Sequence, residues 1–138
     1  MPAASSAQPT LVFLHEGLGS IGVWREFPQQ LARRSGCGVV VYSRYGYGNS
    51  SVLEAARNVD YMHDEARRTL PALLERLAIT APIFVGHSDG ASIALIYAGS
   101  GLPARALIVA APHVFVEDLS IAGITAAKHL FESTDLPQ

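Results

Sequence analysis

The sequence holds a single cysteine, Cys37, in 138 residues. No internal disulfide is possible, and a reducing compartment is the default. Long basic runs are missing too. The pairs Arg33-Arg34 and Arg67-Arg68 are the longest, and the formal net charge is -2. Such a distribution recruits neither nucleic acid nor an anionic membrane surface. No apolar run approaches the roughly 18 residues a membrane helix requires. The opening "MPAASSAQPT" lacks the basic and apolar regions of a signal peptide. No pair of histidines with a carboxylate shows metal-ligand spacing, so neither a metal nor another cofactor is expected. Charged residues are scarce at 16%, whereas hydrophobic residues reach 49%. That balance excludes a disordered chain and fits one cytoplasmic globular domain with buried strands. Its partner is expected to be a small-molecule substrate, and oligomeric state is not legible.

What is present is an alternation of apolar runs and helical patterns. Residues 1–9 read as a loose polar lead. "TLVFLH" at 10–15, "GVVVYS" at 38–43, "PIFVG" at 82–86 and "RALIVAA" at 105–111 read as strands. Between them, 23–35, 59–79 and 88–98 carry apolar residues at helical spacing, and Pro71 should kink or split the second of these. Residues 116–131 also read as helical. The strands are apolar throughout rather than alternating, which is the signature of a mainly parallel sheet covered on both faces, a three-layer α/β/α sandwich.

Two glycine-bearing stretches carry the chemistry. "GHSDG" at 86–90 fits G-x-S-x-G between a strand and a helix. A tight strand-to-helix turn lifts a serine hydroxyl out of the sheet. Small residues two before and two after it let the backbone pass, hence Gly86 and Gly90. Ser88 is therefore the candidate nucleophile, and the amide of Asp89, at the helix start, is a candidate oxyanion donor. The bland alternative for Ser88 is an ordinary helix N-cap. "LHEGLGSIG" at 14–22 admits two readings. It contains the dinucleotide pattern G-x-G-x-x-G, and Arg44 after the next strand would favour a 2′-phosphate. But His15 and Glu16 separate strand from glycines, and no acidic residue ends the next strand. The loop is better read as the source of a second oxyanion donor, the amide of Gly17, with Leu18 as the alternative.

With these residues in hand, the chain resembles the first half of the α/β-hydrolase superfamily, of the esterase/lipase-like kind. "LVFLHEGLGSIGVW" resembles the family's first strand, oxyanion loop and following tryptophan. "YSRYGYGNS" is similar to its D-x-R-G-x-G-x-S loop, "VGHSDGASIAL" to its nucleophile elbow, and "RALIVAAP" to the strand after that. The resemblance runs from about Thr10 to Pro112. It implies a Ser–His–Asp/Glu triad acting on esters or related carbonyl compounds through an acyl-enzyme. It also implies that the acid and histidine, which follow later strands in chain order, lie beyond residue 138, leaving 10–112 as a partial core and 113–138 as the start of a lid. An inactive or binding-only relative is the alternative.

Two departures stand out. Glu16 replaces a common glycine, where it would repel anionic substrates or hydrogen-bond His15. Ser43 and Tyr45 stand where relatives often have Asp and Arg, so an ion pair is expected to be missing. His15, Glu16, Leu18, His87 and His113 are the expected pocket-lining residues, although His15 is better explained by structural hydrogen bonding to the loop, and His87 by packing beside the turn than by a catalytic role. A local triad from Asp118 and His129 would require a helical segment to bend back to Ser88. His63 and His129 read as surface, Tyr45 and Tyr47 as pocket flank or surface, and Trp24, Phe27 and Cys37 as packing residues.

Overall fold

The computed structural model describes residues 8–134. Four strands, β1 (Thr10–Leu14), β2 (Gly38–Val41), β3 (Ile83–His87) and β4 (Ala106–Ala110), form one sheet in the order β2-β1-β3-β4. Every pairing is parallel, with Val12 opposite both Val40 and Phe84, and Val85 opposite Ile108. Period-two geometry divides the central strands between two cores. Val12, Leu14 and Phe84 pack with Ala66, Leu70, Leu74, Ile93, Ala94 and Tyr97 on one face. Leu11, Phe13 and Val85 pack on the other face with Trp24, Leu31 and Val41. Burial of a side chain such as Phe13 or Phe84 contributes about 1.5–3 kcal/mol.

Helix α1 (Phe27–Ser35) connects β1 to β2. Helices α2 (Tyr61–Asp64) and α3 (Leu70–Arg76) lie between β2 and β3, and α4 (Asp89–Gly99) between β3 and β4. Strands β1 and β3 are neighbours whose chains leave in opposite directions, to β2 on one side and β4 on the other. Such a switch point opens a crevice at the carboxyl ends of the two strands, where open α/β sheets bind ligands. The loop from His15 and the turn at Ser88 both start there.

Several boundaries differ from the sequence reading. The helix expected over 23–35 is a 3₁₀ turn, Ile21–Trp24, followed by α1, broken where Arg25 takes φ 48°. Phe27 was expected in the core but is 48% exposed at the helix start, whereas Trp24 sits edge-on to Phe13 at 5.0 Å. The helix expected over 59–79 is split as Pro71 demands. A π-helical turn at Glu65–Thr69, in which the Leu70 amide reaches back to the Glu65 carbonyl, joins α2 to α3. Proline cannot donate the next helical hydrogen bond, and the wider turn absorbs the mismatch. Beyond β4, helix α5 (Asp118–Ser133) buries none of its residues. Among the described residues no helix is long and apolar enough to cross a membrane.

Candidate active site

The turn after β3 holds Ser88 at φ 52°, ψ −116°. A residue with a Cβ avoids this region, and holding one there costs on the order of 1–3 kcal/mol. The surroundings impose it. The Ser88 amide donates to Ala110 O at 2.9 Å, and the Ser88 carbonyl accepts from the Ser92 amide at 3.0 Å. A Cβ at Gly86 would lie 2.5 Å from the Gly90 carbonyl oxygen, and one at Gly90 would lie 2.0 Å from Leu14 O. The first glycine lets the turn pass itself. The second lets α4 press against β1, a contact the G-x-S-x-G spacing alone does not reveal.

Ser88 Oγ lies 3.0 Å from His113 Nε2. His113 stands just past β4, and its backbone amide donates to Ser92 Oγ at 2.8 Å. Ser92, buried in the first turn of α4, in turn donates to the Ser88 carbonyl at 3.3 Å. One hydroxyl thus pins the His113 loop to the elbow. The expected pocket residue His113 is therefore a direct partner of Ser88. His87 ends β3 beside Ala110 and is exposed, away from that pairing. His129 hydrogen-bonds Ser133 within α5 rather than approaching Ser88.

Across the switch point, His15 is fully buried. Its Nε2 accepts the Arg44 amide at 3.0 Å, so the ring hydrogen belongs on Nδ1, which donates to Glu16 O at 2.7 Å. Glu16 contacts His15 through its carbonyl, not its carboxylate as expected. The carboxylate instead accepts from the Leu18 amide. That commits the amide of Leu18, whose side chain is 74% exposed. Among the described residues the amides of Gly17 and Asp89 have no acceptor.

Burial lowers the pKa of His15, with the Arg44 charge acting in the same direction. A protonated ring would lose the Arg44 amide bond. The neutral form therefore contributes stability that is complete above the unfolded value near 6.5 and is lost as pH falls from there through the depressed folded value. Urea unfolding free energies are expected to drop by up to about 1.4 kcal/mol per pH unit over that window. His15→Asn should remove this slope, and an unchanged slope would assign it to another group.

Arg44 bears on one expectation and on the dinucleotide alternative already set aside. It is 2% exposed, makes an ion pair with Asp89 Oδ2 at 3.6 Å, and donates from Nη2 to Glu16 O at 2.9 Å. An ion pair therefore anchors this loop although Ser43 and Tyr45 replace the usual pair. The guanidinium is also unavailable to a 2′-phosphate. The dinucleotide reading fails on a second point, because α1 starts at Phe27, well past Gly22, and the glycines meet only the single 3₁₀ turn Ile21–Trp24, not the N-terminus of an α-helix. Tyr61, which carried no sequence signal, donates to Asp89 Oδ2 at 2.7 Å. Burial and the neighbouring Asp89 push its phenol pKa upward. Among the described residues no cluster of three His, Cys, Asp or Glu could hold a metal.

A family model described as alpha/beta hydrolase fold matches residues 9–125. The chain is 34% identical over 92 residues to a proline iminopeptidase of Lactobacillus helveticus, covering 67% of this chain and 31% of the relative. It is 33% identical over 87 residues to a proline iminopeptidase of Lactobacillus delbrueckii subsp. lactis, covering 63% and 30%. Among solved structures, an alpha/beta hydrolase fold protein from Burkholderia ambifaria superposes with TM-score 0.73 at 27% identity, over 94% of this chain and 46% of that one. A structure reported for carboxylesterases of Nitrososphaera gargenis superposes with TM-score 0.77 at 23% identity, over 92% and 46%, and supports the fold alone. The chain thus spans about a third of these curated relatives and just under half of these solved ones. The matched residues, the parallel sheet and the turn at its switch point agree: the chain belongs to the α/β-hydrolase superfamily and represents the N-terminal portion of that fold.

Proposed function

We propose that this chain carries the nucleophilic half of a serine hydrolase acting on small esters or related carbonyl substrates. The observation that carries the reading is Ser88, held in a strained turn at the switch point with an imidazole 3.0 Å from its hydroxyl. In this reading Ser88 Oγ attacks the carbonyl carbon and its proton passes to His113 Nε2, in place of the later histidine that the family resemblance implies. The resulting oxyanion is met by the amides of Gly17 and Asp89, which are free of other acceptors among the described residues. The carbonyl–leaving group bond then breaks, the leaving group takes the proton, and water later cleaves the acyl-enzyme. The curated relatives' name, proline iminopeptidase, sets a peptide bond beside the ester bond of this reading. Both cleavages run through the same kind of tetrahedral intermediate. The half-buried, unpaired Cys37 fits a reducing compartment.

A fluorophosphonate probe tests this directly. It is expected to modify Ser88, as located by peptide mass spectrometry. A positioned general base contributes about 10²–10⁴-fold, so His113→Gln should slow labelling by at least the lower figure. Labelling at full rate in that variant would remove His113 from the mechanism. No labelling of the unsubstituted chain would defeat the hydrolase reading of these residues.

A further inference from the structure

We infer that the Asp89 carboxylate, held by Tyr61 and Arg44, is a positioning group that locks the loop carrying Gly17 against the turn carrying Ser88. Its catalytic consequence rests on the hydrolase reading above. Its geometry does not.

Two other segments reach this carboxylate, and Arg44 ties a third to it. Asp89 opens α4, Tyr61 opens α2, Arg44 follows β2, and Glu16 follows β1. Tyr61 donates to Oδ2 at 2.7 Å, and Arg44 Nη2 lies 3.6 Å from the same oxygen while it donates to Glu16 O at 2.9 Å. The guanidinium also lies 5.1 Å from the Tyr47 ring centroid, and Arg57 stands over the same ring at 4.6 Å and over the Tyr61 ring at 5.4 Å. The carboxylate then reaches the glycine loop itself. A Cβ built on Gly17 would meet Asp89 Oδ2 at 3.1 Å and its Cγ and Oδ1 at 3.2 Å. The acid occupies the space a side chain at position 17 would need. One group thus sets the distance between the loop that offers one free amide and the turn that offers the other.

Stability alone does not account for this arrangement. Arg44 is buried, and among the described residues its Nε and Nη1 have no partner; a buried ion pair with unmet hydrogen-bonding capacity is a poor source of stability. A carboxylate beside a forming oxyanion would also oppose it unless its charge is balanced. Arg44 supplies that balance, so the acid can hold geometry without repelling the oxyanion. The arrangement gives the substitutions opposite signs under two explanations. If the Asp89 charge acted only electrostatically, Asp89→Asn would speed Ser88. If the carboxylate positions the loop, Asp89→Asn slows it.

The experiment uses Tyr61→Phe and Asp89→Asn in the same chain. Hydrogen exchange of the amides of residues 16–19 is read against those of α1. The fluorophosphonate reaction is read as maximal rate and half-saturating probe concentration separately. Small misplacements at reacting centres lower rates by one to two powers of ten. Accordingly, exchange in 16–19 is expected to rise about tenfold in each variant with α1 unchanged, and the maximal rate to fall about tenfold with half-saturation within about twofold. Unchanged exchange in both variants overturns the clamp, as does a rise shared equally by α1, which marks a general loss of structure. A faster reaction in Asp89→Asn overturns positioning in favour of charge. If Ser88 of the unsubstituted chain does not react, the hydrolase reading falls, while exchange in the variants still decides the clamp.

Discussion

On the proposed reading, Ser88→Ala is expected to abolish ester hydrolysis, lowering turnover of a p-nitrophenyl ester by at least about 10³-fold, with the fold intact by circular dichroism. The size follows from the role. Without the hydroxyl no acyl-enzyme forms, and only binding and the oxyanion amides remain to help water. A companion substitution separates this account from simple damage. At φ 52°, ψ −116° a Cβ is strained, and glycine is not. Ser88→Gly should therefore be equally inactive but more stable than the parent, by about 1 kcal/mol or a few degrees in Tm. Gain of stability with loss of activity is what strain stored at a working residue predicts. An alanine variant that still hydrolyses the ester would end the nucleophile assignment. A glycine variant with lowered Tm would show that the turn is not strained.

The fold was largely legible because its signals are local. Four apolar runs of strand length, alternating with helical patterns, leave few arrangements other than a covered parallel sheet. Pro71 announced a break that became the π turn at Glu65–Thr69. Ser88 was legible because the two flanking glycines answer a need that only a tight backbone passage creates. What escaped was set by contacts across the sheet. Arg44, to which the sequence offers a role only in the dinucleotide alternative set aside there, is the buried cation of the ion pair with Asp89. Its partner lies 45 positions away on another strand's turn, and no periodicity links them. Tyr61 and Ser92 look like ordinary helix residues until α2 and α4 are packed. The capping of the Leu18 amide depends on one rotamer of Glu16. The partnership of Ser88 with His113 depends on the β3–β4 pairing that sets Ala110 beside the elbow.

The same glycine-to-alanine change at the two ends of α4 should have opposite effects. At Gly90 the added Cβ would lie 2.0 Å from Leu14 O, 2.4 Å from Leu14 C and 2.8 Å from Leu14 Cβ. Two of those atoms are backbone of β1, a central strand hydrogen-bonded on both sides, so no rotamer change can relieve the overlap. Either α4 lifts off the sheet or β1 shifts, and each route loosens the core formed by Leu14, Phe84 and Ile93. Overpacking of this kind costs about 1–3 kcal/mol even where side chains can yield, so Gly90→Ala is expected to lose at least about 3 kcal/mol. Its elbow should fail as well, because α4 carries Asp89 and Ser92. At Gly99, the last residue of the same helix, nothing lies within 4 Å of a built Cβ and the backbone is not left-handed. There alanine restricts the unfolded chain and favours the helix, so Gly99→Ala should gain up to about 1 kcal/mol. Urea melts of the two variants measure both signs. If Gly90→Ala is tolerated as well as Gly99→Ala, then α4 does not press on β1, and the close passage that holds Ser88 in its turn is absent.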